Sequence, residues 1–384
     1  MTPPRHRGAP RREVDAVDDP KAFFDLVLTE TALLGGDEPL DTTDVGSLLT
    51  EYYGLSGILA PIATEKDDTF RLTTERDDTY LVKVSPAEED PVIVDLQTSA
   101  MLYLAEHAPT LPVQRVVRTV SGADHVELPA RVGPYPRILR VMEFIRGTTL
   151  SNADPSLGQL RAAGTMLGRL SAALEAFEHP ADRRLVLWDL ANFHRLGVLR
   201  DYVTDSRCRD LTDHVFAEYD NHVVPVLDSL ETRVIHGDFS PFNVVVDAGA
   251  PDYVTGIIDF GDTVRSALIF DVTVGMANQL DARLADPWDK ALAFLAGYRA
   301  VVDLPPAHIS LLSYTVPARL LMRSLVAAWR ATQNPERHEY LMSHANSDWE
   351  NLASALQVPI STVDGRLQAT EDHPRSAFPE EHQR

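Results

Sequence analysis

The residues best suited to chemistry in this 384-residue chain stand close together. Val234-Ile235-His236-Gly237-Asp238-Phe239-Ser240-Pro241-Phe242-Asn243 is followed by Ile257-Ile258-Asp259-Phe260-Gly261-Asp262. Between them, Val244 to Val246 and Val254 to Ile258 read as two short strands around a turn-rich link, Asp247 to Asp252. A hairpin of that kind would bring Asp238, Asn243 and Asp259 together. A carboxylate there can accept a proton from a hydroxyl. The amide oxygen of Asn243 and the carboxylate of Asp259 suit magnesium, which takes oxygen ligands and shares them with phosphates. That is the equipment of phosphoryl transfer, in which the protein aligns an acceptor oxygen with the γ-phosphate and neutralises charge. The competing view is a loop in which Asp and Asn only cap turns. It has to explain an ordered set with strands between its members.

Other elements must position this set. Ile58 to Ala63, Thr69 to Thr74 and Thr79 to Val84 read as strands separated by Asp-rich charged turns, hence hairpins. In the third strand Tyr80, Val82 and Val84 share one face, and Leu81 and Lys83 share the other. A lysine in that setting snorkels, lies at an edge or meets an anion. Asp90 with Pro91 begins a helix carrying Leu96, Ala100 and Leu104 at helical spacing. An earlier helix, Val45 to Tyr53, is expected to be capped by Thr43 or Asp44 and closed by Gly54. Arg137 to Phe144 is a strand that leads into Glu143-Phe144-Ile145-Arg146-Gly147. From Gln159 onward the pattern is helical. At about 100° per residue, Arg319, Arg323 and Arg330 fall within about 40° of one another on a helix. That stripe either receives a substrate carboxylate or forms a solvated face.

His-x-Asp-x-x-x-x-Asn followed by Ile-Asp-Phe-Gly-Asp resembles the aminoglycoside phosphotransferase and choline kinase branch of the protein-kinase-like fold. The resemblance implies an α+β, bilobed fold with a small antiparallel-sheet N-lobe and a mainly helical C-lobe. It implies that Asp238 is the catalytic base, Asn243 a magnesium ligand and Asp259 the principal magnesium ligand. By the same match His236 props the loop, and Asp271 braces it. Lys83 would hold the phosphates of ATP or GTP. Glu143, through its carbonyl, and Ile145, through its amide, would read the nucleotide base at the hinge. The chain departs from the pattern twice. The loop that should cover the phosphates, Glu65 to Thr69, has no glycine. The acid expected opposite Lys83 on the following helix is replaced by Gln97 or Asp95.

Softer likenesses lie outside the catalytic motifs. Tyr52-Tyr53-Gly54-Leu55, the helix from Leu96-Gln97-Thr98 to Leu104, Ala318-Arg319-Leu320 to Ala328-Trp329-Arg330, Asn334-Pro335 and Tyr340-Leu341 look like hydroxylysine kinase and its bacterial relatives. The likeness spans roughly residues 44 to 355. It implies a hydroxyl acceptor that is amino-acid-like or an amine. An aminoglycoside-type antibiotic acceptor is the alternative. A nucleotide-binding pseudokinase has no need of a base with two metal ligands. A metal hydrolase leaves Lys83 unexplained.

Bulk properties narrow the partners. A formal net charge of -22 disfavours nucleic acid and anionic membrane. One cysteine, Cys208, excludes an internal disulfide and a cysteine-based zinc site. The first 20 residues are charged and proline-rich without an apolar stretch, so they read as a disordered extension and not a secretory signal. No run approaches the length of a membrane span. A cytoplasmic small-molecule enzyme is expected. Its organisation would be an N-lobe with preceding helices over 21–143, a C-lobe over 144–355 and a polar tail over 356–384.

Overall fold

A computed structural model of the chain describes residues 17, 19–31, 39–64, 66–129, 133–333 and 338–371. The expected N-terminal extension lies almost wholly outside the described residues. So do Glu65, Asn334-Pro335 and the last residues of the tail.

Among the described residues two helices come first, α1 (Pro20–Glu30) and α2 (Thr42–Tyr53). Three strands follow, β1 (Ile58–Ile62), β2 (Asp68–Thr73) and β3 (Thr79–Val84). Helix α3 (Pro91–His107) comes next, then β4 (Val116–Val117), β5 (Val126–Leu128) and β6 (Arg137–Glu143). These strands make one antiparallel sheet in the order β1-β2-β3-β6-β4, with β5 also paired to β6. The register sets Lys83 opposite Thr69 on one side and Arg140 on the other. One face of the sheet closes on α2. Val45, Leu49 and Tyr53 pack there against Phe70, Leu72, Val82, Val84, Leu139 and Val141. The alternation along β3 therefore buries Val82 and Val84 and leaves Lys83 on the face turned to the rest of the molecule.

The chain leaves β6 at Glu143 and pairs again at once as β7 (Thr148–Thr149). Helix α4 (Leu157–Ala173), a 3-10 segment (Leu190–Tyr202) and α5 (Ser206–His222) follow. Then come β8 (Thr232–Ile235), β9 (Val244–Val246), β10 (Val254–Ile257) and β11 (Val264–Ala267). β9 and β10 form the anticipated hairpin, with β7 on its other edge. β8 and β11 pair antiparallel as a separate two-stranded sheet. Ile257 also bridges to Val113, so the hairpin is tied to the segment entering the first sheet. The chain ends in α6 (Leu268–Ala277), α7 (Asp289–Arg299), α8 (Pro306–Gln333), α9 (His338–Ala355) and α10 (Ile360–Gln368). The architecture is α+β, a small antiparallel sheet beside a larger helical body, as expected.

Three expectations need correction. The cap of α2 is Asp41, whose carboxylate accepts from the amides of Thr43 (2.7 Å) and Asp44 (2.8 Å). An acid at the cap satisfies two of the donors a helix start leaves over. Helix α1 was grouped with the sheet lobe, yet it packs on the helical body. Phe24 sets its edge against Trp329 of α8 at 5.1 Å, and Arg195 lies over the Phe23 ring at 3.6 Å. The tail expected over 356–384 is not wholly polar. Val363 and Leu367, four residues apart on α10, are buried in the helical core.

Candidate active site

Helix α6 is buried along its whole length, including Asp271 in its first turn. Its carboxylate accepts from the amides of His236 (3.3 Å) and Gly237 (3.1 Å), which fixes the loop after β8. Burial pushes the Asp271 carboxyl up, and His236 and the two amides pull it back. Gly237 has φ +80°, and a Cβ there would lie 2.4 Å from the carbonyl oxygen of Asp262. Glycine is thus required where the two acidic loops meet. His236 is fully buried. Its Nδ1 accepts from the Asp238 amide (3.3 Å) and its Nε2 donates to the carbonyl of Ile258 (3.2 Å). These contacts select the Nε2–H tautomer and make His236 a strut between the loops.

Asp238 emerges from this strut with its side chain 28 % exposed. Oδ2 accepts from Asn243 Nδ2 at 2.7 Å and from the Ser240 hydroxyl at 3.3 Å. Oδ1 accepts from Arg319 Nη2 at 3.4 Å. Burial pushes the Asp238 carboxyl above the ordinary carboxylate range; Arg319 and His236 oppose the rise and Asp259 adds to it. Asn243 spends its amide hydrogens on Asp238, its carbonyl included at 3.0 Å, so the amide oxygen is left for another partner. Asp259 has φ +62°, a strained backbone for a non-glycine residue. Its Oδ1 accepts from the Gly261 amide at 3.1 Å. The nearby Lys83 ammonium holds its carboxyl below the ordinary range, against burial.

Lys83 carries the largest correction. Its Nζ lies 2.9 Å from Asp67 Oδ2 and 3.5 Å from Asp259 Oδ1. Burial alone would pull the ammonium down, but Asp259 and Asp67 outweigh it and raise its pKa. Asp67 belongs to the loop expected to cover phosphates. Neither helical candidate meets the lysine. Gln97 Oε1 accepts from Arg140 at 3.0 Å, and Asp95 pairs with His179 at 3.1 Å. The physical reason is the strand register, which puts Arg140 beside Lys83 and claims the helix's polar side chain for itself. The glycine-free loop is held by its own side chains. Thr64 donates to the Asp67 carbonyl at 2.6 Å, and Lys66 pairs with Glu89 at 2.5 Å.

Asp238, Asn243, Asp259 and Lys83 line one cavity of about 300 Å³. Glu143 and Ile145 do not. The Glu143 carbonyl accepts instead from the Gln114 side chain at 3.1 Å. The cavity wall includes residues that sequence reasoning missed or left open: Asp67, Trp188, Asp262, Asn278, Arg319 and Arg323. Burial, helped by Asp238, pushes the Asp262 carboxyl up to about 7. The arginine stripe is not a solvated face. Arg319 is 4 % exposed, donates to the Trp188 carbonyl at 2.8 Å and lies 5.2 Å from the Trp188 ring centroid. Arg323 donates to Asn278 at 2.5 Å and pairs with Asp348 at 3.1 Å. Arg330 also approaches the Trp188 ring, at 5.9 Å.

A carboxylate at a cavity wall and a lysine steadied by two more carboxylates suit a phosphoryl-transfer site, and the model of the phosphotransferase enzyme family matches residues 59–308. The chain belongs to that family. It is a phosphotransferase acting on hydroxyl groups, and its acceptors are small molecules. Hydroxylysine kinase of Mus musculus is 25% identical over 327 residues, covering 80% of this chain and 86% of that protein. Hydroxylysine kinase of Danio rerio is 25% identical over 338 residues, covering 85% and 94%. Among solved structures, an amicoumacin kinase in complex with AMP-PNP, Ca2+ and Ami is similar with TM-score 0.63 and 17% identity, covering 84% of this chain and 95% of that one. A microcompartment-associated aminopropanol kinase is similar with TM-score 0.58 and 20% identity, covering 85% and 99%. These two share the fold. Among the described residues no helix is long and apolar enough to cross a membrane.

Proposed function

We propose that this phosphotransferase moves the γ-phosphate of ATP or GTP to the hydroxyl of an amino-acid-like acceptor, hydroxylysine or a close analogue. The observation that carries the reading is Asp238: a carboxylate held by Asn243 and Ser240, raised by burial, at the wall of a cavity that Lys83 shares. The named relatives support the acceptor class.

In this reading Asp238 accepts the proton of the acceptor hydroxyl as its oxygen bonds to the γ-phosphorus. The bond from the γ-phosphorus to the bridging oxygen breaks, and the nucleoside diphosphate leaves. Lys83 holds the nucleotide phosphates and exchanges part of its contact with Asp67 and Asp259 to do so. The amide of Ile145 and the carbonyl of Glu143 read the base, with Gln114 steadying that carbonyl. The donor set fits magnesium: the Asn243 amide oxygen is turned away from its own hydrogen-bond partners, and Asp259 keeps a carboxylate oxygen beyond the one its loop uses. Among the described residues no three His, Cys, Asp or Glu side chains gather as a self-sufficient metal cage. Two protein oxygens suit an ion that completes its shell with phosphate and water. Held by Asn243 and Asp259, magnesium would supply positive charge to offset the negative charge that builds during transfer.

A magnesium-dependent screen with ATP and GTP, read by product mass, tests this. The panel is hydroxylysine, homoserine, threonine, choline, ethanolamine and aminoglycosides. Gain of one phosphoryl group on an amino-acid acceptor, lost in Asp238→Ala, supports the reading. Gain on aminoglycosides alone, or turnover that survives Asp238→Ala, contradicts it.

A further inference from the structure

The phosphotransfer cavity contains an arginine pair that the transfer step does not use. We infer that Arg323, with Arg319 beside it, forms a subsite for a carboxylate on the phosphoryl acceptor. The inference rests on the reading of Asp238 as the base of a hydroxyl kinase. It assigns the residues that decide which acceptors enter.

Position comes first. Arg319 and Arg323 are one helical turn apart on α8 and line the same cavity as Asp238. Arg319 is nearly inaccessible and already engaged, by the Trp188 carbonyl and by Asp238. It sets the positive character of this wall and orients the base. Arg323 is 27 % exposed, so a ligand can reach it. Asn278 and Asp348 take one donor from each of its terminal nitrogens. They hold the guanidinium plane in place, and a five-donor fork keeps further N–H groups for a planar anion.

Charge decides the class of ligand. In a chain of net charge -22, two guanidinium groups are carried inward to a cavity wall. Asp348 balances Arg323, and Asp238 balances Arg319. Asp262 faces the same space. An acceptor bearing only ammonium groups meets like charge at Arg323. A zwitterion places its carboxylate on the fork and its hydroxyl at Asp238, while the acidic side chains remain for its amino group. A carboxylate on an arginine fork is a charge-assisted, two-point contact. A purely structural role for Arg323, tying α8 to Asn278 and Asp348, predicts no such preference.

The test uses the full chain with magnesium and both ATP and GTP as donors. Hydroxylysine, homoserine and threonine are each paired with the amino alcohol left when the carboxylate is removed, and an aminoglycoside is added. For the preferred pair, kcat/KM should favour the carboxylate-bearing member by roughly 10- to 100-fold, the value of a charge-assisted contact. Arg323→Gln should collapse that ratio to within about 3-fold, and Arg323→Lys should restore part of it. Nucleotide binding checks that each variant is folded. Should the variants not fold, the wild-type ratio alone decides. An unchanged ratio in Arg323→Gln overturns the subsite. So does a wild-type enzyme that phosphorylates the amino alcohols or the aminoglycoside equally well or better, and the kinase reading then stands. Phosphorylation of no member overturns both.

Discussion

The two sides of the cavity solve the problem of buried charge differently. On the side proposed for the phosphates, Lys83 stands between Asp67 and Asp259, and each of its partners comes from a loop next to a strand end. The charges are balanced before any ligand arrives. On the acceptor side, Arg319 and Arg323 are drawn from one long helix and paired with Asp238, Asn278 and Asp348, residues remote from one another in sequence. Trp188 adds an aromatic wall. In the proposed function, the Lys83 side receives a ligand of fixed chemistry, the nucleotide phosphates. The acceptor side is assembled by packing of α6, α8 and the segment around Trp188, so its shape can differ without altering the transfer step.

Perturbing each side should show whether this division is real. Chelating divalent cations should have the largest effect, abolishing turnover on every acceptor while the fold, followed by circular dichroism, stays intact. Persistent turnover in chelator would remove the proposed roles of Asn243 and Asp259. Lys83→Met should lower kcat/KM for nucleotide by about 100- to 1000-fold, the usual cost of losing one preorganised electrostatic contact. Asp67→Asn should lower the same constant by about 10-fold, because Lys83 would keep Asp259 but lose the nearer carboxylate that offsets Arg140. The acceptor KM should not move. Gln97→Leu is the matched control: Arg140 loses an acceptor, which should cost about 1–3 kcal/mol of stability, with nucleotide KM within about 3-fold of wild type. If Gln97→Leu damages nucleotide kinetics more than Asp67→Asn, the helix and not the loop steadies the lysine. Trp188→Ala should have the smallest effect, raising acceptor KM by about 3- to 10-fold with nucleotide KM unchanged. Equal rises in both constants would mean that the two sides are not separable.

The same contrast governs what could be read before the structure. Asp238, Asn243 and Asp259 could be grouped in advance because two short strands around a turn bring them together, and Lys83 joined them only through the family resemblance; one cavity is lined by all four. The partner of Lys83 was not, since it depends on strand register: Arg140 opposite Lys83 takes Gln97, and the lysine turns to Asp67. The missing glycine was visible in the loop, but the hydrogen bond from Thr64 to the Asp67 carbonyl that holds it was not anticipated. The arginine stripe was visible as a stripe, but helical periodicity says nothing about which face is buried in a helix apolar on most sides. Trp188 and Asn278 belong to no local pattern, and only tertiary packing brings them to the site. The placement of α1 on the helical body likewise depends on a remote partner, Trp329.

In the proposed function Asp238 serves the chemical step and not the binding of nucleotide. Asp238→Asn keeps the hydrogen-bonding shape of the side chain and removes its basicity. Comparing its kcat on the best acceptor with its affinity for ATP, against wild type, tests the claim most directly. If Asp238 is the base, kcat falls by about 100- to 10,000-fold, with nucleotide affinity within about 3-fold. A kcat near wild type, or a loss confined to nucleotide affinity, would contradict it.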